Sequence, residues 1–216
     1  VMIEVEGEEQ ALDQFLAWLQ QQPPRLARIE SLEWHLTEPL GDSVFRILVS
    51  QSPPEADVFV APDVATCDDC LRELFDPRDR RYRYPFLNCV NCGPRLTIIR
   101  GAPYDRARTA MAEFPMCSDC QAEYDDPANR RFHAEPTCCP RCGPQLSLST
   151  QAGPTRTGDT ALVAFARAIR DGQIAALKGL GGFHLVCDAT SEAAVTRLRQ
   201  RKQRDERALA LMVRDV

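Results

Sequence analysis

Eight cysteines of this sequence stand in four Cys-x2-Cys pairs, a spacing at which two thiolates of one turn take two corners of a tetrahedral metal site. The pairs are Cys67/Cys70, Cys89/Cys92, Cys117/Cys120 and Cys139/Cys142. Eighteen residues separate the two pairs of each half, and a shift of fifty residues superposes all eight cysteines. Such a duplication predicts one structural unit that is used twice.

Four thiolates around one ion leave no open position for water, so the pattern predicts two structural Zn2+ sites rather than catalytic ones. Sequential sites are favoured because each copy should be self-sufficient, although an interleaved arrangement with shared pairs satisfies the same spacing.

Disulfides and iron–sulfur clusters are the alternatives to zinc for these cysteines. Paired cysteines without a secretory signal favour metal-bound thiolates in a reducing cytosol, and iron–sulfur runs are usually spaced less symmetrically.

Two further cysteines and one histidine invite a chemical interpretation. Cys138 has no counterpart in the first copy, and His133 corresponds there to an arginine, so neither is predicted to bind metal. Cys187 follows His184 closely, which allows a Cys-His nucleophile. Its apolar neighbours favour a buried structural thiol instead.

Composition excludes several classes of function. The chain of 216 residues carries a net charge of −5, which gives no reason to expect a nucleic-acid partner. No apolar run approaches the roughly 18 residues needed to span a bilayer, and no signal peptide opens the sequence. We therefore expect a cytoplasmic protein without a membrane segment.

Residues 1–50 read as strand, helix, strand, strand. Apolar residues alternate over 1–5 and recur at helical spacing over 11–19, where Pro23-Pro24 stops the helix. Two more strands are predicted within 29–34 and 44–49. The segment 51–57 contains Pro53-Pro54 and is predicted to be a linker.

The remaining chain divides into a cysteine-rich part and an α/β part. Residues 60–146 have few apolar side chains and no long helical pattern. Apolar burial alone would not offset the entropy lost on ordering them, so we expect cross-links to hold this region. A second linker is predicted at 153–158. Beyond it we expect a helix over 161–169 ended by Asp171-Gly172, a strand at 174–177, a helix over 191–201 capped by Ser191, and a buried strand at 208–213.

Several motifs together resemble the HypF family of carbamoyltransferases. Residues 88–98 (Asn-Cys-Val-Asn-Cys-Gly-Pro-Arg-Leu-Thr-Ile), preceded by Tyr-Arg-Tyr-Pro-Phe at 82–86, resemble the first zinc finger of that family. Arg-Arg-Phe-His-Ala-Glu-Pro at 130–136, followed by Cys-Pro-Arg-Cys-Gly-Pro at 139–144, resembles the second. Residues 178–189 look like the opening of the family's YrdC-like nucleotide-binding domain, and residues 1–50 resemble the second half of an acylphosphatase-like domain.

The resemblance implies an α+β multidomain fold. Its parts are a partial ferredoxin-like acylphosphatase unit at 1–52, a tandem zinc-finger domain at 60–147 and the N-terminal part of a YrdC-like α/β domain at 158–216. In the family the anion-binding loop of the acylphosphatase domain, with its arginine and asparagine, lies upstream of the residue that matches Val1. No residue of 1–50 is therefore expected to be catalytic.

The chemistry that the resemblance implies begins with carbamoyl phosphate and ATP, with Mg2+ accompanying the nucleotide. The nucleotide domain makes carbamoyl adenylate, and the carbamoyl group passes to the C-terminal cysteine of a partner, HypE. Dehydration there yields the cyanide ligand of [NiFe]-hydrogenase. The rival interpretation is a cytosolic zinc-ribbon module that binds proteins and has no nucleotide chemistry.

Four basic residues are the candidates for nucleotide binding. Lys178 precedes a glycine-rich turn whose backbone N–H groups could approach phosphate oxygens. Lys202 and Arg204 match a Lys-x-Arg pair that binds phosphates in YrdC-like proteins, whereas Arg207-Ala208 stands where those proteins have Lys-Pro. Without the resemblance, the basic residues near 202 would be read as a solvated helix end.

Overall fold

The computed structural model describes residues 2–42, 44–45, 60–151, 153–204 and 206–213. The chain forms two compact units, Val1–Phe59 and Val60–Val216. Within the described residues, five α-helices, two short 3-10 segments and two two-stranded antiparallel sheets make up the regular structure. This mixture of helices and small antiparallel sheets confirms the predicted α+β class.

The first unit contains helix α1 (Glu9–Gln21), which confirms the predicted helix. The predicted strands are wrong for residues 2–5 and 29–34, and neither Val44 nor Phe45 is in a strand. Residues 46–49 and the predicted linker at 51–57 lie outside the described residues. Alternating apolar and polar residues predict a strand with one buried face. Here Ile3 and Trp34 are 57% and 62% exposed, so these apolar side chains do not pack against a core.

The cysteine-rich region contains two matching short helices, α2 (Asp68–Phe75) and α3 (Ser118–Asp125), and no long helix, as predicted. Its core is built around cysteines. The largest side chains that are fully buried are Arg81, Asn88, Thr109, Thr137 and the cysteines Cys70, Cys89, Cys92, Cys120 and Cys138. Sulfur and polar groups therefore occupy positions that leucine or phenylalanine would fill in an ordinary core.

A hairpin of strands β1 (Ser147–Thr150) and β2 (Gly153–Thr157) follows the second cysteine cluster. Strand β2 leads directly into helix α4 (Gly158–Arg170), so the predicted linker at 153–158 is wrong. The β-branched threonines of this segment favour a strand, which the Gly and Pro signals obscured. Helix α4 ends at Asp171-Gly172 as predicted, and Gly172 has a φ of 76°.

Strands β3 (Ala175–Lys178) and β4 (Phe183–Val186) form an antiparallel hairpin, in which β3 confirms the predicted strand. Cys187 follows β4 and is half-buried. Helix α5 (Glu192–Lys202) also confirms its prediction, because the Ser191 hydroxyl accepts a hydrogen bond from the Ala194 N–H at 3.3 Å.

The predicted buried strand at 208–213 is wrong. No described strand pairs with these residues, and Leu211 and Met212 are 71% and 98% exposed. An apolar run alone does not supply the neighbouring strand that completes a hydrogen-bonded ladder. Among the described helices the longest have 13 residues, and none is long and apolar enough to cross a membrane.

Candidate metal centres

The eight predicted cysteine ligands gather in two clusters. One consists of Cys67, Cys70, Cys89 and Cys92, and the other of Cys117, Cys120, Cys139 and Cys142, with the four Sγ atoms of each within 4.8 Å of one another. The grouping follows the sequential arrangement rather than the interleaved one. All ten cysteines of the chain lie in its described part and are free thiols, so the disulfide alternative is not realised.

The spacing of the sulfurs fits a zinc ion. Zn–S bonds of about 2.3 Å directed to the corners of a tetrahedron place the sulfurs about 3.8 Å apart. Three of the Sγ–Sγ distances are 3.7, 3.8 and 3.5 Å in the first cluster, and three are 3.8, 3.7 and 3.6 Å in the second. Each cluster could therefore hold zinc without rearrangement, and its four sulfurs would leave no coordination position for a substrate.

Two kinds of local structure position the thiols of each cluster. Cys67 is the N-cap of α2 and Cys70 lies in its first turn, which brings both thiols to one side of the helix end. Cys117 and Cys120 have the same relation to α3. The second pair of each cluster lies on a tight turn, in which the Cys92 N–H donates to the Cys89 carbonyl at 3.2 Å and the corresponding bond of the second copy is 3.1 Å long.

The glycine after each second pair allows the chain to pack closely. A Cβ atom at Gly93 would lie 2.6 Å from Cβ of Asn88, and one at Gly143 would lie 2.6 Å from Cβ of Cys138. Gly93 also has a φ of +98°, which L-residues with side chains rarely adopt. Both turns therefore require glycine for the same steric reason, at positions related by the duplication.

We expect Gly93→Ala and Gly143→Ala each to lower the free energy of unfolding of the zinc-loaded protein by about 2 kcal/mol or more, because the added methyl group forces the turn apart. Urea unfolding followed by fluorescence measures the loss. Gly101→Ala is the matched control, since a Cβ there meets nothing within 4 Å and its φ is not positive. Equal urea midpoints for all three variants would contradict the steric role.

Buried ion pairs join the two cysteine repeats, and the sequence interpretation did not foresee them. Arg81 of the first repeat binds Glu123 of α3, with an Nη1–Oε1 distance of 3.1 Å. Arg131 of the second repeat binds Glu73 of α2. The fifty-residue shift superposes each arginine and each glutamate on its counterpart, so the two pairs are the same contact made in both directions.

Both glutamates of these pairs are held in the ionised form. Burial raises the pKa of Glu73, but the hydrogen bonds and positive charges of Arg131 and Arg130 outweigh it and lower the pKa below its ordinary value. Arg81 and Arg80 do the same for the pKa of Glu123. A signal for these contacts was present, since the Arg-Arg sequence recurs in both repeats, as does a glutamate three residues after the second cysteine.

Cys138 and His133 lie outside both clusters. The Sγ atom of Cys138 is 3.4 Å from Oη of Tyr84, and burial raises the pKa of this thiol. The ring of His133 packs against the ring of Tyr124, with a centroid distance of 4.8 Å. Both residues therefore have structural contacts, in keeping with their interpretation as bystanders.

We expect Cys138→Ser to retain two zinc ions per chain and Cys139→Ser to retain one, because only Cys139 belongs to a four-sulfur cluster. Elemental analysis of the purified variants gives the stoichiometry. The adjacent positions make each variant the control of the other. Loss of an ion from the Cys138 variant alone would show that the fifty-residue register assigns the wrong ligand.

A second polar network, also not foreseen, centres on Glu135. This residue is 8% exposed, and its carboxylate accepts hydrogen bonds from the Tyr124 hydroxyl at 2.9 Å and from the Arg106 backbone N–H at 2.7 Å. Burial raises the pKa of Glu135 above its usual range. The Arg106 guanidinium also donates to the Thr137 carbonyl at 2.9 Å, so this network fastens the segment between the repeats to the second repeat.

The four candidate nucleotide-binding residues belong to two segments. Lys178 is the last residue of β3, and its Nζ lies 5.0 Å from the centroid of the Phe183 ring. Lys202 is the last residue of α5, and Arg204 follows in the next turn, where its Nη2 donates to the Ala208 carbonyl at 3.0 Å. The carbonyl of Arg207 accepts a hydrogen bond from the Arg199 guanidinium at 2.9 Å.

Three family models match the chain. The model described as HypF finger matches twice, at residues 66–99 and 116–149, and each match contains one four-cysteine cluster. The Acylphosphatase model matches residues 1–47. The Sua5/YciO/YrdC model, described as telomere recombination, matches residues 167–216.

Relatives and solved structures show the same similarity. The chain is 51% identical over 216 residues to Carbamoyltransferase HypF2 of Cupriavidus necator and 50% identical over 209 residues to Carbamoyltransferase HypF of Synechocystis, covering 99% and 96% of this chain and 27% of each relative. A crystal structure of full-length HypF in the phosphate- and nucleotide-bound form matches 97% of this chain and 27% of its own, with a TM-score of 0.83 at 44% identity.

The crystal structure of T. kodakarensis HypF matches 93% of this chain and 25% of its own, with a TM-score of 0.77 at 49% identity. The chain thus spans about a quarter of the length of the relatives that it matches. Over that length the order of the matched models, the two cysteine clusters and the level of identity agree, and the chain belongs to the HypF family.

Proposed function

We propose that this chain is part of a carbamoyltransferase. It would consist of the C-terminal half of an acylphosphatase-like domain (1–52), a tandem zinc-finger domain (60–147) and the N-terminal part of a YrdC-like nucleotide-binding domain (158–216). The observation that carries the proposal is the pair of four-cysteine clusters at the residues that the HypF finger model matches. The identity of about 50% to proteins named carbamoyltransferase supports it.

In the proposed reaction carbamoyl phosphate, ATP and water give carbamoyl adenylate, inorganic phosphate and pyrophosphate. The carbamoyl group then passes to the C-terminal cysteine thiolate of a HypE-type partner with release of AMP, as a step in making the cyanide ligand of [NiFe]-hydrogenase. Mg2+ would enter with the phosphates of ATP. The cytoplasm is the expected compartment, because its reducing conditions keep thiols available as metal ligands.

The residues of this chain would have two roles. The eight clustered cysteines would hold two structural zinc ions, which stabilise the fold and take no part in the chemical step. Lys178, Lys202, Arg204 and Arg207 would bind phosphate oxygens, where positive charge stabilises the charge that develops during adenylation. We assign no catalytic residue within this chain.

Calorimetric titration of the zinc-loaded chain with Mg-ATP tests the nucleotide part of the proposal. We expect measurable binding in the wild type and none in Lys202→Glu, since a carboxylate there would repel the phosphates. Arg167→Glu is the control, because Arg167 lies on α4 with a side chain that is 80% exposed. A chain that binds zinc but no ATP would favour the protein-binding zinc-ribbon interpretation.

The transfer step requires a longer protein and is tested in a chimera. This chain replaces the matching quarter of Cupriavidus necator HypF2, and the chimera receives radiolabelled carbamoyl phosphate, ATP and a HypE-type partner. We expect label on the C-terminal cysteine of the partner, and its loss when Lys202→Glu is introduced. A chimera that binds both zinc ions and ATP but transfers no label from carbamoyl phosphate would overturn the proposed reaction.

A further inference from the structure

Each cysteine cluster is contacted by an arginine of the other repeat. The Nη1 atom of Arg130, in the second repeat, lies 3.2 Å from Sγ of Cys70 in the first cluster. The Nη1 and Nη2 atoms of Arg80, in the first repeat, lie 3.5 and 3.4 Å from Sγ of Cys120 in the second cluster. These are hydrogen-bonding distances to sulfur, and the two contacts are related by the fifty-residue shift.

The geometry points to a role for both arginines in metal binding across the repeats. We propose that Arg80 and Arg130 are outer-sphere partners of the zinc site in the opposite repeat, and that the two sites therefore stabilise one another. The inference rests on the proposal that both clusters hold zinc. Metal analysis of the wild type tests that proposal separately.

The charge of a four-thiolate site explains why such a partner is needed. One zinc dication with four thiolates has a net double negative charge, and the sulfur atoms at the centre of each contact belong to residues that are fully buried, Cys70 and Cys120. A buried charge requires a compensating group. The side chains of Arg80 and Arg130 are only 31% and 25% exposed, so their charges act in a partly desolvated setting.

A glutamate orients each arginine toward the sulfur. Nε of Arg130 donates to Oε1 of Glu73 at 3.2 Å, while its Nη1 reaches Cys70 in the first turn of the same helix, α2. Arg80 binds Oε2 of Glu123 on α3 through Nη2, while its Nη1 and Nη2 reach Sγ of Cys120. The planar guanidinium bridges carboxylate and thiolate at once, which a lysine ammonium does not reproduce with the same geometry.

The backbone of the first cluster is tied to the same segment of the second repeat. The N–H of Val90, between Cys89 and Cys92, donates to the carbonyl of Arg130 at 3.1 Å. Pro140 stands at the corresponding position of the second copy and has no N–H to donate. The first cluster thus has a backbone contact from the opposite repeat, whereas the second has a further side-chain contact, from Nη2 of Arg81 to Sγ of Cys120 at 3.5 Å.

The test measures which cysteines lose metal first. Zinc-loaded protein is titrated with a chelator, exposed thiols are alkylated, and mass spectrometry assigns the alkylated cysteines. In Arg130→Gln we expect the first cluster to be released at a chelator concentration about 10- to 100-fold lower than in the wild type, as found for other outer-sphere partners of metal sites. In Arg80→Gln the second cluster, rather than the first, should be released at the lower chelator concentration.

Arg78→Gln is the matched control, because Arg78 lies two residues before Arg80, has a side chain that is 90% exposed and, among the residues that the structure describes, pairs with the neighbouring Asp76 alone. Should a glutamine variant fail to fold, Arg130→Lys and Arg80→Lys keep the charge and should show the same crossed pattern with a smaller shift. A larger shift, relative to the wild type, for the cluster in the variant's own repeat, or no shift in either cluster, would overturn the proposal.

A further measurement does not depend on the arginine variants. Cys117→Ser with Cys139→Ser removes the second site, and the first site should then release its zinc at a lower chelator concentration than in the wild type. An unchanged midpoint for Cys67, Cys70, Cys89 and Cys92 would mean that the two sites are independent.

Discussion

Removal of zinc is expected to unfold residues 60–146 while leaving the hydrogen exchange of helix α1 unchanged. Structural zinc in small domains contributes on the order of 10 kcal/mol or more per site, which equals the whole stability of many domains. The apolar core of the cysteine-rich region is small, since besides cysteines it contains only a few buried apolar side chains such as Tyr84, Leu87 and Met111. Helix α1 belongs to the other compact unit and contains no cysteine.

Hydrogen–deuterium exchange before and after chelation gives the result for each helix separately. Uptake in α2 and α3 should rise to the level of an unfolded chain, and uptake over Glu9–Gln21 should stay where it was. Adding zinc back should restore protection, which distinguishes metal loss from damage. Retained protection of α2 and α3 after the complete removal of zinc would show that packing alone holds this region.

The two four-cysteine clusters were the most predictable part of the molecule. Cys-x2-Cys spacing and exact duplication specify which thiols can meet, because each pair is confined to one turn. The sequence left the pairing open, and the structure groups the cysteines in the sequential arrangement. Helices with clear periodicity and caps, such as α5 with Ser191, were also predictable because the signals are local.

The strands were predicted less well, since a strand depends on a partner that its own sequence does not specify. Residues 2–5 and 208–213 have strand-like patterns, but they pair with no described strand. The segment 153–157 has linker-like Gly and Pro, yet it pairs with β1. The crossed arginine contacts were hidden for a similar reason. A repeat alignment shows that Arg81 and Arg131 correspond, but it does not show that each reaches into the other copy.

The second large effect is expected for Arg81→Met, which should lower the free energy of unfolding by about 3–5 kcal/mol, as when one partner of a buried ion pair is removed. The Arg81 side chain is 2% exposed, and its Nε donates to the Cys138 carbonyl at 2.8 Å. Loss of the Arg81 guanidinium leaves that carbonyl without this hydrogen bond. Glu123 then keeps Arg80 and loses the second of its two arginines. Urea unfolding of zinc-saturated protein measures the difference.

Two further variants separate charge burial from general disruption. Arg72→Met replaces an arginine of α2 with a side chain that is 72% exposed and should change stability by less than about 1 kcal/mol, as is usual for a surface ion pair. Arg81→Met combined with Glu123→Gln should recover part of the loss, because a neutral amide then replaces the carboxylate that has lost one of its two arginines. If the double variant were as unstable as the sum of its single variants, packing of the arginine stem rather than its charge would join the two repeats.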